Sequence, residues 1–166
     1  MGGKEVIERT HNGPSPYPTD DTDLTDFHRY ILMSDYLYKK ETDGIIAAFY
    51  EVYNTLGYGF LERVYQNALY LELLSRGFKC EAQRQIKVYF KGKEVGVYYA
   101  DIVVNDCIIL ELKANENLCP EHEAQLLNYL KSTEIEIGLL LNFGERPQVR
   151  RKIFTNDRKE NLCQSV

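Results

Sequence analysis

Asp101, Glu111 and Lys113 stand in the stretch Tyr-Tyr-Ala-Asp-Ile-Val-Val-Asn-Asp-Cys-Ile-Ile-Leu-Glu-Leu-Lys, whose other residues are mostly aliphatic or β-branched. Burying a charge without a partner is costly, so three charges among such residues need a reason. Two carboxylates and a lysine are a set that can hold a divalent metal and handle a proton. The bland alternative is a hairpin with a surface Glu-Lys pair at its exit and an unrelated aspartate.

The spacing separates the two readings. Glu111 and Lys113 are two apart on a strand and share a face, while Leu112 points to the other. Asp101 joins that face only if the pairing register sets it opposite Glu111. A two-residue turn at Asn105-Asp106 pairs Asp101 with Leu110 and sends the two acids to opposite sides of the sheet. A three-residue connection from Asn105 to Cys107, or a bulge, brings them together. Metal chemistry therefore requires the longer connection.

The elements that must position these groups follow from punctuation and periodicity. Residues 1–21, with Pro14, Pro16 and Pro18, show no apolar period and are expected to form a disordered or loosely ordered tail. Thr22 or Asp23 can cap a helix through Lys40, so that residues 22–44 form a helical appendage. Thr42 or Asp43 can cap a second helix, with Ile45, Phe49, Val52 and Leu56 on one face and Gly57 ending it. A third helix is expected from Gly59 to Arg76, followed by strands near Gln85–Lys91, Glu94–Val104 and Cys107–Ala114. Pro120 suits the first turn of a fourth helix reaching Ser132. Ile137–Asn142 reads as a short, fully apolar strand.

The segment Gly59-Phe60-Leu61-Glu62-Arg63-Val64-Tyr65 carries the GxxExxY pattern, and Gln125-Leu126-Leu127-Asn128-Tyr129 a Gln-x-x-x-Tyr element. With Asp101, Glu111 and Lys113, the chain from about Ile45 to Phe154 resembles the PD-(D/E)XK nuclease superfamily, its RecB-like nucleases, and within it the GxxExxY family. Ala100 stands where the superfamily's name has proline, a position that makes no side-chain contact with metal in the general scheme. The resemblance implies an α/β, restriction-endonuclease-like fold over residues 45–166, with an αβββαβ core and a mixed central sheet flanked by helices. The order of elements read above agrees with it.

The resemblance also implies metal-assisted phosphodiester hydrolysis. Mg²⁺ or Mn²⁺ would be held by Asp101 and Glu111 with the Leu112 carbonyl, and Glu62 would be an outer member of the acidic cluster. Lys113 would position or help deprotonate the attacking water, and the latter role requires a lowered pKa. Gln125 would orient the lysine, the water or a phosphate, with Tyr129 in support. Each residue has a plainer reading as well. A glutamate in a first helical turn is favourable through the helix dipole alone. Tyr65 on an apolar helix face reads as core, and His122 in a first turn as a capping or solvated residue.

The chain has 166 residues, 44% of them hydrophobic, enough for one core of ordinary size. No apolar run approaches the length of about 18 residues that spans a bilayer, so no membrane partner and a cytoplasmic location are expected. Cys80, Cys107, Cys119 and Cys163 lack C-x-x-C spacing and are expected as free thiols rather than iron–sulfur ligands. Residues 1–44 hold 5 basic and 9 acidic side chains, leaving 15 and 16 in the remainder. Two basic segments stand out as phosphate-contacting edges, one with Lys87, Lys91 and Lys93, the other with Arg150, Arg151 and Lys152. The partner is thus expected to be nucleic acid, and the superfamily favours DNA. A catalytically inactive fold that binds nucleic acid or protein is the rival. Aromatic residues Phe27, Tyr30, Tyr36 and Tyr38 could pack on the core or on a second subunit, which leaves a homo-oligomer open.

Overall fold

The computed structural model describes residues 38–163, with the side chains of 160–163 excepted. The expected tail and the helix beginning at Thr22 or Asp23 lie outside the described residues. Helix α1 (Lys39–Leu56) leads into α2 (Glu62–Ser75), then strands β1 (Cys80–Phe90), β2 (Lys93–Val104) and β3 (Ile108–Lys113). Helix α3 (Pro120–Lys131), strands β4 (Ile137–Asn142) and β5 (Gln148–Ile153), and helix α4 (Asn156–Cys163) complete the chain. The five strands form one mixed sheet in sequential order. β3 and β4 are parallel, as the intervening helix α3 requires, and the other neighbours are antiparallel. This is the α/β arrangement with flanking helices that the sequence predicts.

Helix α1 starts earlier than Thr42, the expected cap. Lys39, Lys40 and Glu41 continue the helix to Tyr38, whose φ of 52° ends it. Thr42 is buried inside, and its hydroxyl has no partner. The α1–α2 side is held by aromatic packing, with Phe49 and Phe143 edge to face at 4.6 Å and Tyr65 stacked on Phe143 at 4.4 Å. The Tyr65 hydroxyl donates to the Gly57 carbonyl at 2.9 Å and accepts from the Phe60 N–H, so this tyrosine serves the core and fixes the loop ahead of α2. The Phe143 N–H donates to the Lys113 carbonyl at 2.7 Å, which couples the same cluster to the end of β3.

On the other side, α3 contributes Leu126, Tyr129 and Leu130 to a core with Val103, Ile109 and Leu140. Gly138 allows this close approach, since a Cβ there would lie 2.6 Å from Leu126. β3 passes between the layers: Ile109 packs with α3, while Ile108, Leu110 and Leu112 alternate to the other face, all fully buried. β5 and α4 were not anticipated from the sequence. Gln148, Arg150 and Lys152 give β5 a polar face, and such a strand is stable only by pairing with apolar β4. The α4 end is tied back by Lys159, which donates to the Thr133 and Ile135 carbonyls at 2.7 and 2.9 Å.

Phe143→Ala should therefore destabilise the protein by about 3–5 kcal/mol in urea unfolding, the usual cost of removing a fully buried aromatic ring. A loss under about 1 kcal/mol would mean that the Phe49, Phe143 and Tyr65 cluster does not hold the layers together.

Candidate active site

The connection between β2 and β3 decides where Asp101 goes. Asn105 and Asp106 both take positive φ (50° and 56°), and the Cys107 N–H donates to the Val104 carbonyl at 3.0 Å, which makes a primed turn. Pairing resumes at Val104↔Ile108, not Val104↔Cys107, so Cys107 is one extra residue on the β3 side. The register Ile102↔Leu110 then carries Asp101 opposite Glu111, as in the longer connection. Polar contacts fix the turn. Asn105 exchanges backbone and side-chain hydrogen bonds with Lys79, and Asp106 is bridged by Lys79 at 2.6 Å and Arg84 at 2.8 Å.

Asp101 sits at a break in its other ladder. The β1–β2 pairing runs through Ala82↔Ile102 and Arg84↔Ala100, and Gln83, between them, adopts φ 54°. A non-glycine residue in that conformation is strained, and here the strain accompanies a rearranged hydrogen-bond pattern. The Asp101 carbonyl accepts from Gln66 Nε2 at 2.9 Å, while Oδ1 accepts from Gln83 Nε2 at 3.3 Å. Asp101 Oδ2 accepts the Leu112 N–H at 2.8 Å and so locks the carboxylate beside Glu111.

Glu111 is 2% exposed. Lys113 Nζ donates to its Oε1 at 2.5 Å, and Oε2 is buried with no partner. Burial and then the Asp101 charge push the Glu111 carboxyl from its ordinary 4.5 up to about 7, against the pull of Lys113. Burial also raises Asp101, with the Leu112 N–H and Lys113 opposing it. Burial raises Glu62 too, although Lys113 and a hydrogen bond with the Ala114 backbone lower it. Burial acts to lower Lys113, but its hydrogen bond to Glu111 and the charges of three carboxylates outweigh it, and its pKa is raised. Lys113 is therefore held as a cation against Glu111 in this metal-free arrangement.

Glu62, Asp101, Glu111 and Lys113 thus form one electrostatic cluster built from α2, β2 and β3. Tyr129 lies within reach of it: burial raises its hydroxyl pKa and Glu111 and Asp101 add to the shift, while Gln125 and Lys113 oppose it. Gln125 donates to the Tyr129 hydroxyl at 2.6 Å. His122 is a capping residue, with Nδ1 accepting the Cys119 N–H at 3.4 Å. Lys87, Lys91 and Lys93 lie on the β1–β2 hairpin, and Lys87 pairs with Glu94 at 2.9 Å. On β5, Lys152 pairs with Glu123, and Arg150 approaches the same carboxylate at 4.0 Å. Lys87, Arg150 and Lys152 are thus partly neutralised within the fold.

Two residues of the site escaped the sequence reading. Gln66, one helical turn after Glu62, is buried and holds the Asp101 backbone. Arg63 acts electrostatically on Asp101 and contacts Gln66 at 3.4 Å. The i, i+4 spacing of Glu62 and Gln66 on one helix face was the available signal for the first. Among the described residues, no three His, Cys, Asp or Glu side chains converge into a ready-made ion cage. Cys80, Cys107 and Cys119 are free thiols. The orphaned oxygen of Glu111, beside the Asp101 carboxylate, nevertheless fits a divalent cation whose shell is completed by other oxygens.

The raised Glu111 pKa has a measurable consequence in metal-free protein. Between its unfolded value of 4.5 and about 7 the native state holds a proton that the unfolded chain has released, so stability falls as pH rises through that window. Asp101 and Glu62, also raised, act with the same sign. Thermal melts in EDTA should show a loss on the order of 1–3 kcal/mol across this range, and Glu111→Gln should flatten it. Stability that climbs with pH over the same interval would contradict the burial of an uncompensated carboxylate.

Among the described residues no helix is long and apolar enough to cross a membrane. No curated protein matches the chain in sequence. The crystal structure of SSO0001 is similar at 18% identity with a TM-score of 0.45, covering 77% of this chain and 66% of its own length. A family model described as the PD-(D/E)XK nuclease superfamily matches residues 39–152, which span every strand but the last residue of β5 and all the clustered groups above. By that match the chain belongs to the PD-(D/E)XK nuclease superfamily.

Proposed function

We propose that the protein is a metal-dependent nuclease that hydrolyses phosphodiester bonds in DNA, and that its Gly59 to Tyr65 segment places it in the GxxExxY family. The observation that carries this reading is the unpartnered, buried Oε2 of Glu111 in a group of three carboxylates with one lysine. Mg²⁺ or Mn²⁺ would be held by Asp101 and Glu111, with the Leu112 carbonyl and Glu62 completing the oxygen donors. When bound, such an ion supplies charge neutralisation at the phosphate oxygens and acidifies a bound water.

The chain's own residues do the rest. Lys113, anchored by Glu111 and kept protonated, donates hydrogen bonds to the attacking water or to charge developing on the phosphate. Gln66 and Gln83 hold Asp101 in place, so the carboxylate needs little reorganisation. Gln125 and Tyr129, hydrogen-bonded to each other, flank the cluster as polar contacts for a phosphate or water. Lys87, Lys91, Lys93, Arg150, Arg151 and Lys152 supply attraction for the backbone. Because Glu123 and Glu94 already engage Arg150, Lys152 and Lys87, their combined contribution to the salt dependence of binding is smaller than one phosphate each.

A cleavage assay with Mg²⁺ or Mn²⁺ on single-stranded, duplex and branched DNA tests the activity. Lys113→Ala should lower the rate by about 10²-fold or more. Its metal affinity should hold or tighten, since the ion is bound by oxygens and a neighbouring cation only repels it. Cleavage by this variant at near the wild-type rate would remove Lys113 from the mechanism. No cleavage by the wild type with either metal would favour an inert copy of the fold.

A further inference from the structure

The β1–β2 hairpin runs on past the rest of the sheet. β2 meets β3 only through Ile102, Val103 and Val104, whereas its pairing with β1 continues to Phe90↔Lys93. Ile86, Ala100 and Tyr98, whose ring lies 5.6 Å from that of Tyr129, turn one face of this arm to the core and α3, and rings stand uncovered elsewhere on it: Tyr89 is 60% exposed and Tyr99 53% on the opposite face, and Phe90 is 64% exposed at the tip. Exposed aromatic side chains grouped in this way mark an interaction surface. Lysines are interleaved with them. Lys87, Lys91 and Lys93 face only Glu94 as an acid between residues 87 and 94, and Lys91 lies 5.5 Å from the centre of the Phe90 ring. The arm also leads to the acidic cluster, because Tyr99 is two residues before Asp101, about 7 Å along an extended strand.

Rings alternating with cations fit one chemistry. Unpaired bases stack on aromatic faces whatever their identity, while the phosphates between them pair with lysines. In a duplex the base faces are already stacked on one another and are not available to such a surface. A second copy of the chain is a poorer occupant, since β1 as an edge strand carries the irregularity at Val88/Tyr89 and the lysines that block edge-to-edge pairing. We propose that the β1–β2 arm is a stacking platform for single-stranded nucleic acid, with Tyr89 and Tyr99, which share one face of the hairpin, receiving bases and the strand directed toward Asp101. The direction of the strand rests on the nuclease reading. The binding does not.

Fluorescence anisotropy of the full chain in EDTA, where no cleavage intervenes, tests this with labelled oligothymidylate, oligouridylate and a blunt DNA duplex of equal length. The wild type should bind at least one of the single strands more tightly than the duplex, and the two oligomers distinguish DNA from RNA. Tyr89→Ala combined with Tyr99→Ala should weaken single-strand binding by about tenfold or more and leave duplex binding unchanged. Tyr89→Phe combined with Tyr99→Phe, which keeps both rings, should restore it, and thermal melts of both variants establish that they fold. Equal affinity of the wild type for single strands and duplex would overturn the proposal, as would unchanged single-strand affinity in the alanine variant. Concentration-dependent dimerisation that the alanine variant abolishes would assign the arm to a second copy and overturn it too. Selective binding without metal-dependent cleavage would leave the arm standing and sink only the nuclease reading.

Discussion

A carboxylate buried in the middle of an apolar sheet with half of its charge unmatched is the constraint on which the site depends. Glu111 has one oxygen tied to Lys113 and one with no partner. An isolated charge in such a place is unstable, and the surroundings respond in the ways open to them. Its pKa rises, Lys113 is held as a cation, and Asp101 is brought alongside where burial alone would keep carboxylates apart. Two acids side by side in low dielectric repel one another, and on the proposed function a divalent cation held by both would make the arrangement favourable. Under the proposed function, local stability has been exchanged for a place where positive charge would bind.

The rest of the structure keeps that arrangement from relaxing. The extra residue at Cys107 sets the register, and Lys79 and Arg84 clamp the turn that creates it. The left-handed Gln83 releases the Asp101 carbonyl to Gln66, so helix α2 is fastened to β2 at the point where Glu62 enters the cluster. Phe143 bonds the end of β3 and stacks on Tyr65 of α2. Three elements therefore meet at fixed spacing, and each is anchored by a contact outside the acids themselves.

Much of this was legible in the chain. Alternation along Ile108 to Lys113, the apolar run Ile137 to Asn142 and the Pro120 start of α3 reflect burial and capping rules that act locally, and the observed elements follow them. The register was left open between two geometries because one residue at Cys107 separates them, and turn chemistry at Asn105-Asp106 suits either. β5 was missed because Arg150, Arg151 and Lys152 mask its period, and only the pairing with β4 makes it a strand. The start of α1 was misplaced because Thr42 looks like a cap and is instead a buried residue within the helix. Gln66 and Gln83 were invisible since their importance arises from backbone groups distant in sequence. Of the basic residues read as phosphate-contacting edges, Lys87 is paired with Glu94 of its own hairpin, and Arg150 and Lys152 with Glu123 of α3, a pairing that only the tertiary fold brings about.

Metal binding at the Glu111 carboxylate is the claim on which the account turns, and a thermal shift measures it directly. Mg²⁺ or Mn²⁺ should raise the melting temperature of the wild type through mass action on the folded state. It should leave unchanged that of a variant combining Asp101→Asn with Glu111→Gln, whose amides keep the shape and remove the charge. An equal shift in both proteins would place the ion somewhere else and contradict the account.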